Sequence, residues 1–283
     1  MDDSTTLWRG QRVLVTGCTG FLGSAVVEEL LGRGAEVVGL VRNRTSAAAF
    51  ARHQLAGRIH FVYGRTDDLF RIHSALAVYE TRAVFHLAAA EPGSSDRGTT
   101  TVLDGVRRFD PRLPVVVARP TGTAPVIDSP VPLGVARFGE LFGSGDRNTK
   151  RLVPATALSL LSGERTALGA ERGARDYVHV RDAARACLML AEALANGQMP
   201  QVREATFRSD WVFTDREMTE AIHRACAGHS APFARRTPLA NPFGWSPTLN
   251  FSEAMADTVG WYREFSRSRA ISVRSSEQHR AAA

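Results

Sequence analysis

The amino-acid sequence predicts an α/β fold, a doubly wound parallel sheet followed by a small C-terminal α/β lobe. Three observations predict it. As far as Ala118, short β-branched runs alternate with amphipathic stretches, the pattern of strands joined by crossover helices. A glycine-rich turn, Gly17-Cys18-Thr19-Gly20-Phe21-Leu22-Gly23, follows the first of these runs and opens the first amphipathic stretch. Beyond position 150 helical periodicity dominates, with only short strand-like runs between.

Taken in order, residues 12–16 read as a strand and 21–33 as a helix closed by Gly34. Strands follow at 37–41 and 59–62, then a helix beginning near Asp67 or Asp68, either of which can cap exposed N–H groups. Residues 83–88 form a fourth strand, 100–109 a helix and 114–118 a fifth strand. The alternation then breaks. Residues 119–132 are rich in Pro, Thr and Gly, and a strand at 133–138 comes almost directly after. Two parallel strands need a crossover of about a dozen residues, normally helical, and prolines oppose a helix here. An element that belongs in this crossover is missing. Helices are expected near 154–162, 182–195, 215–227 and 252–265. The polar, basic stretch 266–283 is expected to be disordered. The resulting division is a dinucleotide-binding domain over 10–150, with elements around 175–207 contributing, a smaller substrate lobe over 151–265, and the tail.

The 283 residues carry a net charge of +6, but nearly all the basic residues are arginines and Lys150 is the only lysine. The charge favours anionic ligands such as nucleotides. No clustered basic helix, zinc-ligand spacing or aromatic RNA-binding signature accompanies it, so neither nucleic acid nor a metal is expected. Cys18, Cys187 and Cys226 are far apart and form no CxxC pair or disulfide framework, which fits a reducing cytoplasm. The start, Met1-Asp2-Asp3-Ser4, has no apolar signal region, and no apolar run approaches the ~20 residues that span a bilayer. A soluble cytoplasmic protein is expected, without a membrane partner.

The glycine-rich turn sits where a Rossmann-like fold holds a dinucleotide. Glycines allow the tight turn and close backbone approach to a pyrophosphate, and the helix start supplies unpaired N–H groups. Gly17, Thr19, Gly20, Phe21, Leu22 and Gly23 are therefore the expected cofactor-binding residues. At the end of the second strand stand Arg42-Asn43-Arg44, with no carboxylate to accept a ribose 2′-OH. Arginine there pairs with the 2′-phosphate of NADP. The alternative is solvated surface arginines in an Arg-rich chain, with NAD as the cofactor.

Four ordered segments carry a resemblance beyond this turn. They are His86-Leu87-Ala88-Ala89 after the fourth strand, Arg137-Phe138-Gly139-Glu140-Leu141-Phe142-Gly143-Ser144-Gly145-Asp146, Arg175-Asp176-Tyr177-Val178-His179-Val180-Arg181-Asp182, and Trp245-Ser246-Pro247 with a later Gly260-Trp261-Tyr262. With the GxxGxxG spacing, they make the chain resemble the extended short-chain dehydrogenase/reductases, the NAD-dependent epimerase/dehydratase family. The resemblance places Leu87, Ala88 and Ala89 beside the cofactor. It also implies epimerisation, dehydration or ketoreduction of a nucleotide sugar or a related polyhydroxylated metabolite. By the same resemblance Arg175 approaches a substrate pyrophosphate; the alternative is an ion pair with Asp176 or Asp182. Two departures stand out. Glu140 replaces the Asn of the RxxNVYGPGD segment, and Arg65 stands where the family places an Asp for adenine.

The larger departure is chemical. In the family a Tyr in a YxxxK motif transfers the proton that accompanies hydride transfer, its Lys lowers the Tyr pKa, and a Ser or Thr hydrogen-bonds the reacting oxygen. Lys150 would need its tyrosine at 146, which is Asp146, and Tyr63, Tyr79, Tyr177 and Tyr262 have no Lys at that spacing. Positioned acid–base catalysis is worth roughly 10²–10⁴ in rate, so a family-type oxidation needs a substitute group. Thr121 falls where the family's Ser or Thr would, and is the candidate catalytic residue; the competing reading is a structural loop threonine. Asp128, Glu91, His86, Glu140 and Tyr177 are candidates for proton transfer, each against a cap, surface or core role, and for His86 a satisfied buried imidazole. Two further readings follow: a non-redox isomerase, lyase or cyclase on the same scaffold, and a non-catalytic NADP-sensing or accessory protein. The missing helix also belongs to the family's usual dimer interface, which leaves the oligomeric state open.

Overall fold

The computed structural model describes residues 7–44, 56–88, 97–123, 129, 131–164, 173–197, 202–231 and 240–281. They form two compact units. The first contains β1 (Arg12–Thr16), α1 (Phe21–Gly32), β2 (Glu36–Val41), β3 (Ile59–Tyr63), α2 (Leu69–Val78), β4 (Ala83–His86), α3 (Arg97–Phe109), β5 (Val115–Pro120) and β6 (Leu133–Phe138). After an excursion through the second unit the chain returns to it with α5 (Val180–Ala195, from its second residue) and β9 (Val202–Thr206). The second unit contains β7 (Glu140–Phe142), α4 (Leu152–Leu161), β8 (Arg175–His179), β10 (Val212–Phe213), α6 (Asp215–Cys226) and α7 (Phe251–Ala281).

The strands of the first unit build a seven-stranded sheet in the order β3-β2-β1-β4-β5-β6-β9, with every pairing parallel. This is the Rossmann-like doubly wound sheet the sequence predicts. Its central strands are near-continuous apolar runs (Val13, Leu14 and Val15 in β1, Val115 to Val117 in β5) and are buried, as a sheet covered on both faces requires. The strand order reverses between β1 and β4, and register places Thr16 opposite His86 and His86 opposite Val117. The carboxyl ends of β1, β4 and β5 therefore lie side by side at the switch point, where doubly wound sheets bind ligands. The α2 helix starts as its sequence implies: Asp68 accepts the backbone N–H of Arg71 at 3.0 Å.

The break after β5 is resolved without a helix among the described residues of the crossover. Thr121 continues the ladder by donating its N–H to the Phe138 carbonyl at 2.7 Å, and a turn with Gly122 at φ +78° follows. Arg137 of β6 fastens that turn. Its guanidinium reaches the Pro120 carbonyl at 3.2 Å and Thr123 Oγ1 at 2.8 Å, while gripping both oxygens of Glu204 on β9 at 2.7 and 2.9 Å. The outward positions of α3, Thr100, Asp104, Arg107 and Arg108, are polar, whereas Val102, Leu103 and Val106 are buried. No exposed apolar stripe remains on α3.

The second unit is built on a three-stranded sheet, β10-β8-β7, in which β7 and β8 run parallel and β8 and β10 antiparallel. Its core is aromatic: Phe142, Tyr177, Trp211, Phe213 and Phe251 pack with ring centroids 4.6 to 6.4 Å apart. The α6 helix opens with a capping box, Thr214 accepting from the Glu217 N–H and the Glu217 carboxylate accepting from Thr214 N–H.

Three expectations are corrected. The first continuous stretch of the first unit runs to Phe138 and not to near residue 150, because Glu140 to Phe142 pair with β8 rather than with the large sheet. The fourth strand ends at His86, two residues early. The segment from Ser266, expected to be disordered, is helical as far as Ala281. No glycine or proline follows Gly260, and the Arg, Glu and Gln residues that make the segment polar are, like its alanines, helix formers.

Candidate functional site

The turn between β1 and α1 is built by its glycines, but they do not all serve the same end. Gly17 adopts φ +70°, and a Cβ there would sit 2.6 Å from the Ala88 nitrogen. A Cβ on Gly23 would sit 2.0 Å from the Gly17 carbonyl oxygen. Both are required by the packing of strand, turn and helix. Gly20 is different: it is exposed, its φ of −82° suits any residue, and a Cβ would meet only the Gly17 oxygen, at 3.1 Å. Gly20 is the N-cap of α1 and brings no side chain to the first-turn amides, and no acidic residue lies in that turn. An uncapped helix start carries N–H donors and a partial positive charge. It is a ready anion cradle, and a dinucleotide pyrophosphate fits it. Thr19 and Gly20 are exposed and Phe21 and Leu22 half-buried around it.

The neighbouring strand end is held by a buried chain of hydrogen bonds. The Ala88 N–H donates to Thr16 Oγ1 at 3.4 Å, Thr16 Oγ1 meets His86 Nδ1 at 2.7 Å, and His86 Nε2 meets Thr99 Oγ1 at 3.1 Å. Leu87 N–H adds a bond to the Thr16 carbonyl at 3.1 Å. His86 is thus the satisfied buried imidazole, and its work is to hold Leu87 and Ala88 against Gly17. Ala89, expected beside them, lies outside the described residues, as do Glu91 and Asp128. Cys18 sits behind the turn, and burial pushes its thiol up to about 12; it is packing, not a nucleophile.

At the carboxyl end of β2, Arg42 and Asn43 are exposed. Arg44 lies over the Tyr63 ring, 5.9 Å from its centroid. Arg65, at the adenine position of the resemblance, grips Asp67 through two bonds of 2.8 and 3.0 Å. Thr121 is exposed on the turn after β5, at the same edge of the sheet as the glycine turn.

Arg175 lies in the second unit, on β8, in a small cleft of about 80 Å³ lined also by Glu140, Lys150, Arg151 and Tyr177. Neither Asp176 nor Asp182 pairs with it. Its Nη1 donates to Glu140 Oε1 at 2.7 Å, and its Nη2 reaches Asp215 Oδ1 and, at 3.2 Å, the Tyr177 hydroxyl. Burial works against its charge, but Tyr177, Glu140 and Asp215 outweigh burial and hold its pKa above the ordinary arginine value. Asp176 instead accepts the Ser209 hydroxyl at 3.0 Å and the Ser209 N–H at 3.3 Å. Arg151 is anchored by Asp146 at 2.9 Å, and its Nη2 lies 3.6 Å from Glu140 Oε2. Burial pushes the Asp146 carboxyl above its usual range despite Arg151. Asp215 and Asp146 as arginine anchors escaped the sequence reading, in which one only began a helix and the other closed a motif and stood where a tyrosine would be needed.

With the geometry in place, the chain matches the NAD dependent epimerase/dehydratase family over residues 13–104 and 130–204, more than half its length. It belongs to that family. The stretch between the two matched segments takes in the end of α3, β5 and most of the shortened crossover. Among similar proteins, this family member is 29% identical over 129 residues to a dTDP-glucose 4,6-dehydratase of Actinoplanes sp., covering 40% of the chain and 39% of that protein. It is 26% identical to a UDP-glucose 4-epimerase of Mycolicibacterium smegmatis, over 90% of the chain and 100% of that protein. The aligned part of the first of these is well under half of the relative's length. Solved structures share the fold. A UDP-glucose 4-epimerase of Thermotoga maritima with UDP-glucose superposes with a TM-score of 0.69 at 18% identity, over 90% of this chain and 99% of the other. A dTDP-glucose 4,6-dehydratase of Bacillus anthracis in complex with NAD gives 0.70 at 18% identity, over 90% and 97%.

Against its family, the described proton-transfer candidates are all committed to structure. His86 is hydrogen-bonded at both ring nitrogens, Glu140 is paired with Arg175, and Tyr177 is buried with its hydroxyl accepting from Arg175. Among the described residues no group of three or more His, Cys, Asp or Glu is placed to hold a metal, and no helix is long and apolar enough to cross a membrane.

Proposed function

We propose that this family member is a cytoplasmic NADP-binding, epimerase/dehydratase-like enzyme acting on a nucleotide sugar or related polyhydroxylated metabolite, without the family's Tyr-Lys pair. The observation that carries the reading is the uncapped, acid-free start of α1 at the switch point of the sheet, with a glycine at position 20 that the fold itself does not demand. NADP is preferred over NAD because β2 runs into exposed Arg42 and Asn43 and offers no carboxylate to a ribose hydroxyl. In the same reading residues 17–23 hold the pyrophosphate, Leu87 and Ala88 lie beside the cofactor, and Thr121 hydrogen-bonds the reacting substrate oxygen. A bound nicotinamide supplies a hydride acceptor or donor; the chain's residues bind it and exclude water from it. The second unit serves as the substrate lobe.

One observation favours a second reading, non-redox isomerisation, elimination or cyclisation. No Tyr has a Lys at YxxxK spacing, and such chemistry needs a shaped pocket and one acid–base group.

A thermal-shift panel with NADP, NAD, UDP-glucose and dTDP-glucose tests the proposal. NADP at 100 times its Kd should stabilise the protein by ~2.7 kcal/mol. Arg42→Glu should weaken NADP at least about tenfold, by loss of a charge-assisted phosphate contact, and NAD much less. Equal effects on both nucleotides would remove the NADP preference, and no shift with either would remove the cofactor. Thr121→Val should lower turnover of any accepted substrate by about tenfold to a thousandfold while leaving nucleotide affinity unchanged; full activity in this variant makes Thr121 a loop residue only.

A further inference from the structure

The cleft of the second unit has an unusual charge arrangement. Each of its two guanidiniums already has a carboxylate behind it: Asp215 for Arg175 and Asp146 for Arg151, with side chains only 10% and 3% exposed. A third carboxylate, Glu140, stands between them at the cleft, 2.7 Å from Arg175 and 3.6 Å from Arg151. Three acids thus face two arginines, and Lys150, at the rim, is the remaining cation of the lining. The place from which an incoming anion would reach both arginines at once is taken by a carboxylate of the chain itself. Glu140 is held there by β7, which pairs Glu140 opposite Tyr177 on β8, and by the tight approach of Gly139 to the Asp176 carbonyl, 2.2 Å from where a Cβ would lie. Its side chain stays 37% exposed and lines the cleft.

We propose that Glu140 is a specificity-determining residue that excludes diphosphates from this cleft and selects an uncharged polyhydroxylated compound, an unphosphorylated sugar or polyol. This rests on the reading that the chain handles polyhydroxylated metabolites, and it chooses between the two classes named above. A phosphate brought beside Glu140 meets a like charge where solvent is partly removed, and its gain from the arginines is already claimed by the acids. A sugar hydroxyl meets an acceptor: a carboxylate takes O–H donors from adjacent hydroxyls, and charge-assisted bonds of this kind are the stronger ones. The arginines then serve to hold the carboxylate rather than the substrate.

The test is calorimetric titration of the full chain with UDP, with inorganic pyrophosphate, and with a panel of neutral hexoses and inositols, each with and without NADP. The native protein should bind UDP and pyrophosphate weakly and at least one neutral compound saturably. Glu140→Gln, which removes charge and keeps shape, should tighten UDP at least about tenfold, since like-charge juxtaposition is relieved, and weaken the neutral ligand. Glu140→Asn is the second variant should the first fail to fold. UDP binding by the native chain that is as tight as by both variants overturns the proposal, as does a panel with no neutral ligand. The NADP titration in the same samples reports separately on the parent reading: absence of NADP binding sinks that reading, whereas the response of UDP affinity to position 140 stands or falls on its own.

Discussion

Gly23→Ala is expected to abolish dinucleotide binding and to cost at least about 3 kcal/mol of stability, at the upper end of overpacking penalties. The reason is the identity of the obstacle. The new methyl would lie 2.0 Å from the Gly17 carbonyl oxygen and 3.1 Å from Cys18 Cα, backbone atoms fixed between β1 and α1. No flexible side chain is available to yield. Relief requires α1 to move off the sheet, which takes with it the first-turn amides and opens the layer in which Val26, Val27 and Leu30 are buried. Gly20→Ala is the internal contrast: with a permitted φ and only one contact, at 3.1 Å, it should change stability by less than about 1 kcal/mol. Urea unfolding of the two variants, with NADP titration of each, separates a glycine needed by the chain from one needed by its ligand. Equal destabilisation by both would mean the close approach at Gly23 is not what the packing of the turn depends on.

The second large effect is expected at Glu204. Glu204→Ala should destabilise by about 2–3 kcal/mol, since it leaves the guanidinium of Arg137, 8% exposed, without its bidentate carboxylate. The figure is set below the full cost of breaking a buried pair because Glu204 itself is a third exposed. More than a strand edge is involved. Arg137 also holds the Pro120 carbonyl and Thr123 Oγ1, so the pair fastens the turn that follows β5. Loss of Glu204 should therefore raise hydrogen exchange at the Thr121 amide more than at the β1 amides. Uniform exchange across the sheet would show that the ion pair does not secure the turn. Chemical denaturation gives the stability, and exchange gives the location.

Much of the fold, and the shape of the candidate glycine turn, were legible along the chain because they depend on neighbours in sequence. Alternating apolar runs specify strands buried on both faces, and Asp68 caps the helix it precedes because the bond spans three residues. The segment Gly17 to Gly23 is a local turn that would meet a ligand through its backbone, so its role could be proposed without knowing what packs on it. The absent Tyr-Lys pair is likewise a fact of spacing alone. The tail from Ser266 was misjudged for a related reason: composition reports how much apolar surface a segment can bury, whereas helix continuation depends on the absence of breakers after Gly260.

Tertiary structure decided which partners charged groups have, since those partners are distant in sequence. Arg175 meets Glu140 and Asp215, 35 and 40 residues away, and not the aspartate beside it. Adjacent residues on a strand point to opposite faces, which turns Asp176 toward Ser209 instead. His86 shows the same limit, with its imidazole held between Thr16 on one strand and Thr99 on a helix. By itself the sequence determined the parallel sheet, the glycine turn that opens α1 and the absence of any YxxxK spacing. Only the folded chain decided that Arg175 is already neutralised by Glu140 and Asp215, because electrostatic complementarity is a property of distances in space and the sequence records only order.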